Sequence, residues 1–260
     1  MELGLKGKVA LVTGSSRGIG RGVALALAAQ GCDLMLTGRD AAALDEGAKA
    51  IRAQGRRAAV AVLDLRQTDA PQRLIEQVKH ELGGLDILVN NAGATKRGDF
   101  LSLTDADWED GYALKFFAHV RLARAAWPLL KEQRGSLVSI GGTGGRKPTA
   151  EFAIGSSVNA AVAAFSKCLA DRGKEDGVQV NCIHPSMVET DRLWRRIEAE
   201  MERTGWPEEK TRKEMCRGFG ITRFGTVADV ADLITFIVSS RATWLHGATV
   251  DLDGGEIPVL

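Results

Sequence analysis

The amino-acid sequence predicts a single α/β domain, residues 1–260, built on a doubly wound parallel sheet with helices on both faces. Two patterns predict this class. Short, nearly continuous apolar runs alternate with longer amphipathic stretches, as they do when parallel strands are buried on both faces. A glycine-rich turn follows the first apolar run and leads into the first amphipathic stretch. The sequence shows no internal repeat, low-complexity tract or linker that would mark a second domain.

The predicted elements follow one another in a regular order. The first strand is expected over Val9 to Val12, and an apolar helical stretch begins at Val23. Further strands are predicted at 33–38, 58–63, 86–90, 136–140, 178–183 and 248–252. Further helices are predicted at 41–54, 69–82, 105–131, 154–174 and 227–239. A charged segment at 191–218 departs from this alternation. It is interpreted either as a solvated helical face or, from its position between core elements, as a helical lid over a substrate.

The composition excludes several classes of partner. The chain carries 34 Lys and Arg against 33 Asp and Glu, so no basic field attracts nucleic acid or an anionic membrane surface. No apolar run approaches the roughly 20 residues of a membrane span, and the N-terminus lacks a signal-peptide pattern. The cysteines show no metal-ligand spacing, and their apolar or helical surroundings predict buried free thiols in a cytoplasmic protein. They are Cys32, Cys168, Cys182 and Cys216.

The glycine-rich turn is the most informative stretch of the chain. Gly14, Gly18 and Gly20 lie between the first strand and the first helix. Glycines let the backbone approach a phosphate closely, and a helix N-terminus offers free N–H groups and the positive end of the helix dipole. Between a strand and a helix, such a turn predicts a site for the pyrophosphate of a dinucleotide.

Four ordered motifs give the chain a resemblance to the short-chain dehydrogenase/reductase family along essentially its whole length. Residues 13–20 match the coenzyme loop of that family, and 90–93 match its second signature. Residues 184–190 resemble the turn on the nicotinamide side, and 247–255 resemble the C-terminal signature. The resemblance implies a Rossmann-like fold. The residues that it places at the coenzyme are Gly14, Ser16, Arg17, Gly18, Ile19, Gly20, Arg39, Asp64, Leu65, Asn91, Ala92, Gly93, Pro185, Val188 and Thr190.

The end of the second strand bears on the choice of coenzyme. An acidic residue there would accept hydrogen bonds from the ribose hydroxyls of NAD, but Gly38 stands in that place and Arg39 follows. Arg17 lies inside the glycine turn. Two guanidinium groups suit the 2′-phosphate of NADP(H), which is therefore preferred to NAD(H), although exposed arginines without a ligand are common. Asp64 resembles the adenine-contacting Asp of the family; otherwise it is a turn or helix-capping residue.

The catalytic positions implied by the resemblance are all substituted. The family uses a Tyr as acid/base, a Lys four residues later, a Ser near the preceding strand and an Asn on the preceding helix. The only tyrosine of the chain, Tyr112, lies too early to be that Tyr. Counting along the motifs places Gly142 at the Ser, Gly155 at the Tyr, Asn159 at the Lys and Lys115 at the Asn. The site therefore keeps one cation and one amide with their positions exchanged.

Lys115 is the strongest catalytic candidate. It lies in a stretch of apolar residues, and burial disfavours an ammonium group and lowers its pKa. Such a lysine can act as a general acid, hold an oxyanion or bind a substrate carboxylate. The alternative is a lysine that extends from a helix edge into solvent. The catalytic residues predicted here are Lys115, Asn159 and Thr143, the last because its hydroxyl follows the expected Ser position.

Other polar residues are weaker candidates. Ser156 and Ser157 flank the expected Tyr position but lie near a helix start, where serine is more often a cap. Tyr112 is one helical turn before Lys115 and is more often a core or interface residue at such a position. His184 is interpreted as structural rather than as a base. Several glycines suggest unusual room for a bulky or planar substrate; they are Gly142, Gly144, Gly145 and Gly155.

The sequence thus favours an NADP(H)-dependent oxidoreductase that acts on a carbonyl/alcohol pair of a small molecule with a non-standard proton donor. The alternative is a nucleotide-binding protein without redox activity, either a lyase or isomerase that uses Lys115 or a regulatory pseudoenzyme. The helices at 105–131 and 154–174 carry much apolar surface, and the corresponding helices of the resembled family pack against symmetry mates. A homodimer or homotetramer through these two helices is therefore expected.

Overall fold

Seven parallel strands form one sheet in the computed structural model, which describes residues 2–258. Their order is β3-β2-β1-β4-β5-β6-β7. The strands are β1 Val9–Thr13, β2 Asp33–Gly38, β3 Ala58–Val62, β4 Ile87–Asn90, β5 Ser136–Ile140, β6 Gln179–Pro185 and β7 Thr249–Leu252. The strand order reverses between β1 and β4, and a ligand crevice forms at the carboxyl ends of such strands. The predicted doubly wound, Rossmann-like sheet is confirmed.

Helices cover both faces of this sheet. They are α1 Gly18–Ala29, α2 Ala41–Ala53, α3 Ala70–Leu82, α4 Asp105–Tyr112, α5 Ala118–Gln133, α6 Ala153–Asp176, α7 Asp191–Thr204, α8 Glu208–Phe219 and α9 Val227–Ile237. On one face Leu27 of α1 and Ile234 of α9 are fully buried against the strands. On the other, Leu74 of α3 and Leu122 of α5 are buried. Burial of each of these four side chains stabilises the fold by about 1.5–3 kcal/mol relative to leaving it exposed.

The segment predicted as one helix over 105–131 is interrupted. Between α4 and α5 the backbone forms a π-helical turn, Ala113–Phe117, with Lys115 at its centre. A π-turn adds a residue to the helix and changes which side chains face the sheet afterwards, and such turns are frequent at functional sites. The apolar pattern of the sequence runs through it unchanged, which is why the interruption was not expected.

Three further expectations can be compared with the structure. The charged segment at 191–218 is helical and consists of α7 and α8. Among the described helices, one is long and apolar enough to cross a membrane, the stretch Ala150–Asp176 that contains α6. It packs on the sheet through Ile154, Val158 and Val162, all fully buried, as a core helix does.

The expectation of buried thiols holds only in part. All four cysteines are free, and Cys32 and Cys182 are buried. Cys168 is exposed and Cys216 is half-buried, so the prediction was wrong for these two. Cys168 lies on the face of α6 that points away from the sheet, which an apolar helical sequence alone did not reveal. No cluster of potential metal ligands occurs within residues 2–258.

Candidate functional site

Two of the sequence motifs meet at the carboxyl ends of β1 and β4. The Thr13 hydroxyl accepts hydrogen bonds from the backbone N–H groups of Asn91 and Ala92, at 2.8 and 2.9 Å. In return, the Asn91 side-chain amide donates to the carbonyl oxygens of Thr13 and Gly14, at 2.8 and 3.2 Å. Asn91 and Ala92 therefore hold the glycine turn in shape. Thr13 was not predicted as a site residue, although it stands at the end of an apolar strand where a hydroxyl is unusual.

The glycines of the turn leave bare backbone where side chains would not fit. Gly14 and Gly18 have φ values of 62° and 55°, the left-handed region that L side chains rarely adopt. A Cβ at Gly20 would lie 2.4 Å from the Gly14 carbonyl oxygen. The third motif reaches the same place, because the Thr190 methyl carbon lies 3.4 Å from a Cβ built on Gly18. This cradle at the N-terminus of α1 fits a pyrophosphate group.

Other residues predicted at the coenzyme form the walls of the crevice. Pro185 ends β6, and Val188 is buried and forms a bridge with Gly225. Ile19 packs partly buried against the core, and the Leu65 side chain is buried in it. These side chains shape the crevice through packing, so their expected coenzyme contacts stay a prediction.

Four residues come together at the predicted adenosine end: Ser16, Gly38, Arg39 and Asp64. The Ser16 hydroxyl oxygen lies 3.6 Å from a Cβ built on Gly38, so the glycine turn and the end of β2 are in contact. Arg17 is exposed at the start of α1. Arg39 is also exposed, and its guanidinium lies 3.8 Å from an oxygen of Asp64. This end of the crevice therefore carries the Arg39 cation and no acid at the end of β2, and Arg17 follows Ser16 in the glycine turn.

Asp64 has a local structural role. Its carboxylate accepts a hydrogen bond from the backbone N–H of Arg66 at 3.0 Å, which closes a turn after β3. The same carboxylate is 3.3 Å from the Arg66 guanidinium. The turn role weighed in the sequence is therefore present, and the Asp64 carboxylate also lies within ion-pair distance of Arg39.

Lys115 points into the crevice and not out to solvent. Only 9% of the residue is exposed, and its Nζ donates a hydrogen bond to the Gly141 carbonyl oxygen at 3.0 Å. Its aliphatic stem packs on Gly93, where a Cβ would lie 2.9 Å from the Lys115 Cγ and Cδ atoms. Burial, and after it the nearby Arg192 guanidinium, lower the pKa of Lys115 to about 7. The π-turn thus places an amine that is about half protonated at neutral pH between Gly141, at the end of β5, and Gly93.

The titratable groups near Lys115 are held neutral. His119 Nε2 lies 3.1 Å from the Ala92 carbonyl oxygen, and burial lowers the pKa of His119 to about 4. Burial likewise lowers the pKa of His184 to about 4, in agreement with a structural histidine. Burial raises the pKa of the Cys182 thiol to about 12. Among these four groups, only Lys115 changes its charge near neutral pH.

The Asn159 side chain occupies the space beside Gly142. It is 1% exposed, and its Nδ2 lies 2.9 Å from a Cβ built on Gly142. Because Lys115 binds the preceding residue, Gly141, both side chains lie at the same end of β5. The Oδ1 of Asn159 has no hydrogen-bond partner within the described part of the chain. The Lys115 amine binds the Gly141 carbonyl and leaves the Asn159 Oδ1 unpaired.

The room expected around the glycines is filled. A Cβ on Gly155 would lie 2.1 Å from the Phe152 ring, and one on Gly144 would lie 2.8 Å from it. The same ring thus covers both glycines, and the expectation of space for a bulky substrate was wrong there. Thr143 begins a 3-10 turn, Thr143–Gly145, between this ring and β5 and is half-buried.

The weaker candidates take mostly structural positions. α6 begins at Ala153, so Ser156 lies inside the helix and caps nothing. Its hydroxyl is buried and lacks a partner among residues 2–258, whereas Ser157 donates to the Ile154 carbonyl oxygen at 3.0 Å. Tyr112 packs edge-to-face on Phe116, with ring centroids 6.1 Å apart, in an apolar cluster. This is the core role weighed for Tyr112 in the sequence.

Three arginines at the crevice were missed from the sequence. The Arg97 guanidinium carbon lies 3.9 Å from the centre of the Phe152 ring. Arg192 of α7 donates to the Gly93 carbonyl oxygen at 2.9 Å, and Arg196 lies 2.9 Å from the Met187 sulfur. They come from segments about a hundred residues apart, and no spacing in the sequence connects them.

Comparisons with known proteins agree on one family. The model of the family described as short chain dehydrogenase matches residues 8–201. The 3-oxoacyl-[acyl-carrier-protein] reductase of Escherichia coli is 31% identical over 258 residues, covering 97% of this chain and 98% of the relative. The 2,3-dihydro-2,3-dihydroxybenzoate dehydrogenase of Bacillus subtilis is 28% identical over 261 residues, with 97% of each covered. A crystal structure of L-sorbose reductase from Gluconobacter frateurii, complexed with NADPH and L-sorbose, superposes with a TM-score of 0.96 at 30% identity over the whole of both chains.

Proposed function

The chain belongs to the short-chain dehydrogenase family and is an oxidoreductase, and we propose that it reduces a carbonyl group of a small molecule with NADPH at a non-standard catalytic site. The observation that carries this proposal is the buried amine of Lys115. It lies between Gly93, which follows β4, and the Gly141 carbonyl at the end of β5. In that position it can reach a substrate oxygen beside the coenzyme.

The coenzyme is NADP(H) rather than NAD(H). The glycine cradle fits a dinucleotide pyrophosphate, and Arg17 and Arg39 lie at the end where a ribose 2′-phosphate would bind. Gly38 offers no carboxylate to the ribose hydroxyls and no charge that would repel the phosphate. The similarity to a reductase complexed with NADPH supports the same choice.

We propose that Gly142, Gly155 and Asn159 replace the family's Ser, Tyr and Lys at the equivalent positions. When bound, NADPH supplies the hydride. The Lys115 ammonium hydrogen-bonds the substrate oxygen, stabilises its developing negative charge and gives it a proton. The Gly141 carbonyl orients that amine, the unpaired Asn159 Oδ1 accepts a hydrogen bond when substrate binds, and the Thr143 hydroxyl binds the same substrate oxygen. A lysine with a pKa near 7 suits proton donation at neutral pH.

The test is NADPH oxidation with a panel of ketones, aldehydes and oxo acids, measured beside NADPH binding to the same preparation. The expected result is micromolar NADPH binding together with turnover of at least one carbonyl class. NADPH binding without oxidation by any of them would contradict the proposal and would favour the alternative of a nucleotide-binding protein without redox activity.

The helices α7 and α8 form a lid over the substrate in this proposal, within a single domain. Arg192 of α7 donates a hydrogen bond to the Gly93 carbonyl in the motif after β4. Coenzyme phosphates would compete for that guanidinium, so coenzyme and substrate would change the order of this segment. Hydrogen exchange with and without NADPH tests this, with α3 as the internal reference. Protection of 191–218 equal to that of α3 and unaffected by ligands would contradict a lid.

A homodimer or homotetramer through α5 and α6 is also proposed. Several residues in the expected apolar surface are in fact buried within one chain, among them Leu122 and Val162. The groove between the two helices still exposes apolar side chains, and it is lined by Val120, Trp127, Pro128, Phe165 and Leu169. Light scattering at micromolar concentration tests assembly, and a monomer there would contradict it. The free cysteines support a cytoplasmic location.

A further inference from the structure

The crevice carries an excess of cations beyond those needed for the coenzyme. Arg192 and Arg196 are four residues apart on α7, so they share one face of the helix. Arg97 reaches the same region from the loop after β4 and stacks on Phe152, the ring that covers Gly155. Lys115 lies behind them. These positive groups converge on the place where the substrate is proposed to bind.

The three arginines lack acidic partners. None of Arg97, Arg192 and Arg196 forms an ion pair with any residue that the structure describes, whereas Arg223 pairs with Asp229 at 2.7 Å. The nearest acid to Arg196 is Glu256, which binds the Ser186 hydroxyl and lies 4.0 Å from Lys147. Glu256 is therefore already shared with other donors.

Arg97 and Arg192 are exposed and Arg196 is half-buried, so their charges are only partly desolvated. Loss of bulk water in the crevice wall lowers the pKa of Arg97, and the nearby Arg196 lowers it further; Glu151, which is not within ion-pair distance, raises it, and Arg192 lowers it. The crevice wall lowers the pKa of Arg196 in the same way. Like charges that share a partly desolvated site are destabilising unless an anion joins them. The arrangement therefore favours an anionic ligand.

The arginines divide between the two ends of the crevice. Arg192 contacts Gly93 in the motif after β4 and lies near Arg17 of the glycine turn, so it lies on the side of the crevice proposed for the coenzyme. Arg97 and Arg196 lie beyond it, over Phe152 and Met187, on the side proposed for the substrate. A guanidinium offers a planar fork of donors that matches two oxygens of a carboxylate or phosphate.

We propose that Arg97 and Arg196 bind an anionic group of the substrate, a carboxylate or a phosphate ester, so that the carbonyl compound is an oxo acid or a phosphorylated ketone. The inference rests on the proposed function for the carbonyl, but the anion site itself can be tested without turnover.

The experiment is calorimetric titration of the protein–NADP⁺ complex with small non-reacting probes. Succinate and glycerol 1-phosphate carry the two candidate groups, and succinamide and glycerol are their neutral counterparts. Arg97→Gln and Arg196→Gln each remove one guanidinium, while Arg97→Lys keeps the charge without the fork. Arg195→Gln is the matched control, because Arg195 is an exposed arginine on the same helix.

Binding of an anionic probe, no binding of its neutral counterpart, and an affinity about tenfold lower in each Gln variant would support the proposal, since a charged hydrogen bond contributes on that order. The anion that binds more tightly identifies a carboxylate or a phosphate substrate. Equal binding of neutral probes, or Gln variants that match Arg195→Gln, would overturn it. Failure of NADP⁺ binding would refute the proposed function alone, because the same titration can be run on the coenzyme-free protein.

Discussion

The glycine turn after β1 and the proposed catalytic wall between β5 and α6 are built from different kinds of contact. At the turn, backbone atoms of Gly14 and Gly20 form the cradle. The Asn91 amide donates to the Gly14 carbonyl, and the Thr13 hydroxyl accepts from the Asn91 backbone N–H. At the wall, between β5 and α6, the surface is formed by side chains. The Phe152 ring and the amide of Asn159 fill the space beside the glycines.

This difference explains which half resembles its family in sequence. A cradle made of backbone atoms tolerates little besides glycine, so its glycine motif can be recognised in the sequence. A reacting group can be supplied from any nearby element that reaches the same point. In the proposed site, the cation is supplied by Lys115 of the π-turn between α4 and α5, and the amide by Asn159 of α6. The comparison predicts that changes in the turn affect coenzyme binding and stability, and that changes at the wall affect chemistry.

The largest expected effect on stability comes from Lys115→Met in the coenzyme-free protein. The pKa of Lys115 falls from 10.5 to about 7 on folding, so between these values the unfolded chain holds a proton that the folded chain has lost. The free energy of unfolding of the native chain therefore rises with pH across this window. Below pH 7 the charge is buried at full cost, and the variant should be more stable by up to roughly 5 kcal/mol.

Urea unfolding at pH 6 and pH 10 measures this difference. The gap between the variant and the native protein should shrink as the pH rises. Lys79→Met, which removes an exposed lysine of α3, should show no such dependence. A gap that is the same at both pH values would show that Lys115 is charged throughout.

The next effect concerns the turn. Gly20→Ala places a Cβ 2.4 Å from the Gly14 carbonyl oxygen and 2.5 Å from the Asn91 amide nitrogen, so the turn must shift. We expect about 1–3 kcal/mol lower stability and NADPH binding weaker by at least about tenfold. Gly218→Ala in α8 is the control, because a Cβ there meets nothing within 4 Å and alanine favours a helix by up to about 1 kcal/mol. Unchanged NADPH affinity in Gly20→Ala would break the distinction between the two halves.

The smallest effect is expected at the adenosine end. Arg39 is 67% exposed at its side chain and only loosely paired with Asp64, so its contribution to the fold is small. Arg39→Gln should weaken NADPH binding by about tenfold and leave NADH binding unchanged. Fluorescence titration of both coenzymes measures the ratio, with Arg73→Gln on α3 as a control for lost charge. A parallel loss for NADH would contradict a 2′-phosphate contact.

The same division decided what could be predicted from the sequence. Apolar strands and the glycine turn follow from local patterns, so the sheet, the cradle and the buried position of Lys115 were predicted. The π-turn at 113–117 was not, because its apolar pattern is also that of an ordinary helix.

Packing between distant segments accounts for the remaining differences. Phe152 covers Gly155 and Gly144 only when the 3-10 turn Thr143–Gly145 packs on α6. The glycines alone suggested empty space. Arg97 and Arg196 meet across about a hundred residues, from a loop and a charged helix that each resemble an ordinary solvated surface. Such convergence is set by tertiary structure and leaves no spacing in the sequence.

The central claim, that Lys115 is the proton donor of the catalytic wall, is tested most directly by Lys115→Met in the presence of coenzyme. NADPH oxidation with the best carbonyl substrate is measured beside NADPH affinity, with Lys79→Met as the matched control. We expect turnover to fall by about 10²–10⁴-fold, the usual contribution of a general acid, while NADPH affinity stays within about threefold. Full turnover in Lys115→Met, or a loss of NADPH affinity as large as the loss of turnover, would contradict the assignment.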